Sequence, residues 1–492
     1  MKTKYKAILA LLLACLMIIT VTACGAESNA PAAPTPITPE VDPIAPPPAD
    51  EDEEYDGPPV FVPPSDVLPT KPADVIRYWS DGIRHITMAT WWDIFYDSSH
   101  QDIWDNPDVT NVETAQMSMD ALRRAEQEHN VYFEWVNMTW DGIVENIRIS
   151  IMSGVPDAEI YMVDTQWGIP LALSGFATSL EEMGLEGTDV FGENLVMESL
   201  KLPGQDETYL FRPSGFANNL YSLGYNKDMV AARGLEDPQD LWNRGEWTWD
   251  VWRHYIRELT DPTQDIYGYA GVFTVFSDMI LWSNNAKIAG GPQQTLDSPE
   301  VLEVLQFIYD IYNVDRSARP WDPDVDFWDG NNSIYAEGRS AFWITAPWIH
   351  QDREVNFEFG IIPFPIGPSG DQATMATRGA EGNFFFIPRF IKNPREVYDA
   401  FYDYTNWFNF DTTFRDEAEH EWPRNVYETE ENWDIFMQMQ NRQGFDFFRF
   451  LGLDFNLTLL MTYTTHDAEH TPASFVETYK QVLQDALDWY FN

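Results

Sequence analysis

Three short apolar runs separated by helix-patterned segments constrain this chain most. His85-Ile-Thr-Met-Ala-Thr90, Val131–Val136 and Ala158–Val163 have the length and composition of strands. Between the first two lie Met117, Met119, Leu122 and Ala125 at helical spacing; between the second and third lie Ile143, Ile147, Ile149 and Ile151, closed by Gly154. Strands alternating with helices in this way predict parallel β-α-β units, because parallel neighbours need a crossover that a helix supplies. The first run empties into Trp91-Trp92-Asp93 and the third into Asp164-Thr165-Gln166-Trp167. Ligands of open α/β sheets bind beyond the carboxyl ends of the strands, so these side chains are expected on one rim.

The second half repeats the theme with sharper punctuation. In Asn331–His350, Gly338 suits the residue after a helix, Ser340–Ile344 is a compact apolar run of strand length, and Pro347 suits the first position of a new helix. Trp348 then falls in the first turn of a helix just past a strand end, where an indole either packs in the core or faces a ligand. Thr248 is placed to cap a helix, with Trp247 and Trp252 as a hydrophobic staple and Asp250 in the first turn; Ser298 caps another, and Asn393-Pro394 starts a third. Phe276–Ala289 is apolar but carries Asp278, Trp282 and Asn284. Phe475, Tyr479, Val482, Leu483, Ala486 and Tyr490 form one face of a C-terminal helix after Thr471-Pro472.

The amino terminus reads as an address rather than as fold. Lys2, Lys4 and Lys6 precede an apolar run from about Ala7 to Ile19, too short to span a bilayer and suited to a secretory signal over residues 1–23. The run ends in Val21-Thr22-Ala23-Cys24-Gly25, which resembles the lipobox of bacterial lipoproteins, with Cys24 as the lipid-bearing first residue. Cys15 lies inside the signal, so a mature chain would hold one thiol and no disulfide. Residues 24–73, rich in Pro, Ala and acids, read as an extended disordered tether. The chain carries 30 Lys and Arg against 79 Asp and Glu, a formal net charge of −49. Such a surface repels nucleic acid and anionic headgroups, leaving the lipid as the means of reaching a membrane.

Catalytic and metal motifs are weak. His466-Asp-Ala-Glu-His470 matches an inverted zinc-peptidase pattern, but Thr471-Pro472 interrupts the continuous helix such a site needs. Asp322, Asp324 and Asp326 echo a calcium loop, but Phe327 stands where glycine is required and Ser333 where a bidentate Glu is required. No catalytic residue, metal site or cofactor is expected. What remains is Trp, Asp, Asn and Gln at strand ends. Aromatic faces stack on pyranose rings, and carboxylates and amides take hydroxyls in pairs, a combination suited to a neutral carbohydrate.

Taken in order, Gly154-Val-Pro-Asp-Ala-Glu-Ile-Tyr161, Leu223-Gly-Tyr-Asn-Lys-Asp-Met229, Glu246-Trp-Thr-Trp-Asp250, Tyr335-Ala-Glu-Gly-Arg-Ser-Ala-Phe342 and Ala346-Pro-Trp348 make the chain resemble the solute-binding lipoproteins of carbohydrate-uptake ABC transporters, relatives of maltose-binding protein. The resemblance implies an α/β fold of the type II periplasmic-binding-protein kind, two lobes joined by a hinge with the ligand cleft between them. It implies a first lobe of residues 84–228 and 383–408, a second of 229–382 and 409–492, and a chain crossing near Asn226. It implies ligand contacts from Asp93, Asp164, Gln166, Trp282 and Trp348, to which the strand-end reading adds Trp91. The segment 414–448 has no counterpart in the resemblance. The expected function is capture of a neutral sugar or oligosaccharide and delivery to permease subunits. The protein would be a non-enzymatic monomer, lipid-anchored on the outer face of a bacterial cytoplasmic membrane. An exported glycoside hydrolase, or a binding protein of the same fold for a peptide or polyamine, are the alternatives.

Overall fold

The computed structural model describes residues 82–492, apart from 92–93, 108, 186–203, 205, 213–219, 272, 321–332, 352–353, 379–382, 441, 445, 452–460 and 462–469. Cys24, Asp93, the acids at 322–326 and residues 466–469 of the His466–His470 motif lie outside the described residues. The elements in order are β1 (Arg84–Thr90), α1 (Val112–His129), β2 (Val131–Asn137), α2 (Trp140–Met152), β3 (Ile160–Val163), α3 (Thr165–Leu173), β4 (Ser222–Asn226), α4 (Lys227–Ala232), α5 (Pro238–Asn243), α6 (Trp249–Glu258) and β5 (Tyr267–Ala270). They continue with α7 (Phe273–Ser283), α8 (Pro299–Tyr309), β6 (Ser340–Thr345), α9 (Pro347–His350), β7 (Phe359–Ile362), β8 (Thr377–Arg378) and β9 (Phe384–Phe386). Last come α10 (Pro394–Thr405), α11 (Thr412–Tyr427), α12 (Glu430–Gln440), β10 (Gln443–Gly444) and α13 (Pro472–Phe491).

Two four-stranded sheets organise these elements. In the first, ordered β2-β1-β3-β9, β1 pairs in parallel with β2 and β3, and β9 closes the edge antiparallel to β3. This is the β-α-β arrangement that the alternation of patterns predicts. Ile143, Ile147 and Ile151 recur every fourth residue and bury one face of α2. Ile149 falls off that stripe and is 65% exposed.

The second sheet is ordered β5-β6-β4-β7, with β5 parallel to β6 and β4 antiparallel to both neighbours. Every residue of β6 is buried, as its SAFWI run requires of a central strand. The sequence reading assigned residues 222–226 to the first lobe; in the structure they form β4, which pairs with β6 and β7 in the second sheet. Packing decides this. Gly224 lies opposite Trp343 with the indole against its Cα, where an added Cβ would collide. Thr248 caps α6 through Val251 N, and the fully buried Trp247 and Trp252 both lie against Phe342 of β6. The two tryptophans therefore fasten α6 to the sheet.

The unplaced segment after residue 414 folds as α11 and α12. Asn432 of α12, fully buried, accepts from Ile361 N and Gln239 Nε2, both at 3.0 Å, which ties the helix to β7 and α5. Thr471 caps α13 through Ser474 N, as its position before Pro472 suggests.

Candidate functional site

The first sheet presents a rim where its parallel strands end. β1 stops at Thr90 and β3 at Val163, so Trp91 and Asp164 emerge on the same side. Trp91 is half-buried and packs on the core. Asp164 stands at the N-cap position of α3, and Gln166 Nε2 donates to Asp164 Oδ2 at 3.3 Å. Arg212 joins them. Phe211 bridges Phe385 antiparallel, which brings Arg212 to the start of β9, with its guanidinium 5.8 Å from the ring centre of Phe384. Burial pulls Arg212 below the ordinary arginine pKa, while the negative charge of Glu419 opposes that shift.

The second sheet presents its own rim at the carboxyl ends of β5, β6 and β7. Trp348 follows β6 by three residues, in the first turn of α9, and is half-buried. Tyr221, just before β4, meets it edge to face, with centroids 6.4 Å apart at 87°. The Arg378 guanidinium lies over the Tyr221 ring, 5.2 Å from its centroid, and Arg378 Nη1 is 3.4 Å from Asp278 Oδ2 of α7. Trp282, one helical turn beyond Asp278, lies beside Gly444, whose strand pairs Arg378 in register. One cluster thus holds Trp348 and Trp282, expected from sequence, and adds Tyr221, Asp278 and Arg378.

Arg378 belongs to the second rim and Phe384 to the first, and six residues of chain span at most about 22 Å. Trp91, Asp164, Gln166 and Arg212 thus gather at the first rim, and the tryptophan cluster gathers at the second. Arg212 and Arg378 escape sequence reading because the strands that place them are a single bridge and a two-residue pair, too short for any period. Asp278 does leave a signal, a lone acid inside an apolar helix.

Comparison with protein families and solved structures places the fold. Residues 106–404 match the family model of the bacterial extracellular solute-binding proteins. The chain belongs to that family. As an extracellular solute-binding protein it works outside the cytoplasm, and its two α/β lobes have the type II periplasmic-binding-protein fold. The GacH receptor of Streptomyces glaucescens, solved unliganded and with acarbose, is 14% identical with a TM-score of 0.57, over 82% of this chain and 98% of that one. The cyclic α-maltosyl-1,6-maltose binding protein of Arthrobacter globiformis is 17% identical with a TM-score of 0.56, over 82% and 99%. UgpB of Mycobacterium tuberculosis, solved with glycerophosphocholine, is 15% identical with a TM-score of 0.56, over 77% and 97%. Comparison with curated proteins finds no match.

Proposed function

We propose that the protein captures a neutral sugar or oligosaccharide between its lobes and hands it to the permease subunits of an ABC transporter. The observation that carries this reading is the second-rim cluster. Trp348 and Trp282 offer aromatic area, and the cation among them, Arg378, already has the carboxylate of Asp278 beside it. A charge-compensated aromatic rim favours an uncharged polyhydroxyl ring over an anion. Several structural neighbours were solved with sugars, among them acarbose, α-D-tagatose and cycloalternan. Trp91, Asp164 and Gln166 are the proposed contacts from the first lobe, together with Asp93. The proposed lobes are residues 84–212 with 383–408, and 222–382 with 409–492. A thermal-shift panel of neutral oligosaccharides, uronates and glycerophosphocholine tests the reading. Ligand at about a hundred times its Kd adds roughly 2.7 kcal/mol of stability. A response to glycerophosphocholine or uronates alone rejects the neutral-sugar assignment.

The same reading makes the protein a monomer tethered by a diacylglycerol on Cys24. One acyl chain holds a protein marginally and two hold it stably. Cys24→Ser is expected to release the protein into the medium or to block processing; normal processing with unchanged membrane retention overturns the anchor.

A further inference from the structure

Arg378 stands where the second rim needs most order and has least regular structure. Its strand is two residues long. Thr377 Oγ1 donates to Tyr221 O at 2.8 Å, and Tyr221 N donates to Arg378 O at 3.4 Å, so the two backbone segments are laced together. Above this lacing, the guanidinium lies 5.2 Å from the Tyr221 centroid, and Tyr221 sets its ring edge to face with Trp348. Beside it sits Asp278, whose side chain is 1% exposed against 13% for that of Arg378, with Oδ2 3.4 Å from Arg378 Nη1.

A buried ion pair is a poor way to gain stability, since apolar residues of similar volume serve as well and either partner left alone is costly. What it does supply here is orientation. A guanidinium is planar and cannot give up its proton, so the charge of a carboxylate beside it restrains where its face lies against an aromatic ring. We infer that Arg378 is a positioning residue: held by Asp278, it sets the ring of Tyr221 and, through that ring, the angle of Trp348. The inference rests on the sugar-binding reading for what Trp348 then stacks against, but the positioning belongs to the unliganded protein.

The test uses the full chain labelled with 5-fluorotryptophan. The Trp348 fluorine resonance is identified by its loss in Trp348→Phe. In the unliganded protein, Arg378→Lys keeps the positive charge and removes the plane. It is expected to shift and broaden the Trp348 resonance while leaving those of the core residues Trp247 and Trp252 in place. Tyr221→Leu should move the Trp348 resonance too, and adding Arg378→Lys to it should produce no further change. A Trp348 resonance that ignores Arg378→Lys, or moves equally with and without Tyr221, overturns the inference. Should Arg378→Lys fail to fold, the Asp278→Asn, Arg378→Gln double variant removes both charges and is read in the same way. A second arm titrates maltotriose by calorimetry. Arg378→Lys is expected to bind it at least about tenfold more weakly than the unsubstituted protein, and equal affinity overturns the inference. If the unsubstituted protein ignores maltotriose, that counts against this sugar as ligand, and the fluorine spectra alone decide the role of Arg378.

Discussion

Trp348 and Trp343 are five residues apart, and their environments give them opposite expected phenotypes. Trp343 is fully buried and stacked on Tyr335 at 4.4 Å and 6°, whereas Trp348 is half-buried at the rim. Trp348→Ala should weaken sugar binding ten- to a hundred-fold, about 1–3 kcal/mol of lost apolar contact, with a smaller effect on folding. Trp343→Ala should cost about 3–5 kcal/mol of folding stability, as large-to-small core changes do. Denaturant melts of the unliganded variants beside calorimetric titrations check both, and a strongly destabilised Trp348→Ala with unchanged affinity removes Trp348 from the site. His350, two residues further, packs against Phe359 at 4.0 Å, and burial pushes its pKa down to about 4. The unfolded chain takes up this proton near pH 6.5 while the folded chain resists until about pH 4, so stability is complete above the first value and declines as pH falls towards the second. The loss reaches about 3 kcal/mol. His350→Gln should flatten that part of the stability–pH curve, and an unaltered slope would show that other groups produce it.

At the scale of elements, the segment past the family match is the most informative. The match ends at residue 404, and α11 and α12 lie beyond it. They are built into the second sheet rather than appended. Besides accepting from Ile361 N and Gln239, Asn432 donates to Phe359 O at 3.4 Å and Tyr427 O at 3.2 Å, so one amide serves strand, helix and helix end. Asn432→Ala would leave buried backbone groups unmatched, at about 1–3 kcal/mol for each group stranded. A loss of several kcal/mol in chemical denaturation is expected, and a loss below about 1 kcal/mol would mean that water replaces the amide. α11 meets both rims' surroundings. Trp422 Nε1 donates to Gln351 Oε1 at 2.9 Å beside the Trp348 helix, and Glu421 accepts from Asn111 Nδ2 at 2.8 Å at the start of α1.

For the whole molecule, the two-lobed fold of the family makes closure on ligand a measurable expectation. Small-angle scattering should show a smaller radius of gyration with saturating ligand than without. An unchanged radius, with binding confirmed separately, would argue for a preformed cleft. The net charge of −49 makes the measurement salt-sensitive, so both states belong at one ionic strength.

Local chemistry determined much of this by itself. The caps at Thr248, Ser298 and Thr471, the start of α9 at Pro347, the positive φ of Gly338 and the buried strand Ser340–Thr345 all lie where the sequence puts them. Each depends on backbone groups within a few residues, which is why it is legible. The alternation of runs likewise announces the first parallel sheet. Which sheet owns β4 was decided only by the fold, because residues 222–226 suit either sheet until Gly224 meets Trp343. The second rim was decided the same way. Tyr221, Asp278, Trp348 and Arg378 come from four separate stretches of the chain and share no period. An ion pair or a ring-over-ring contact depends on distance in space, and distance in space is set by how the sheets close.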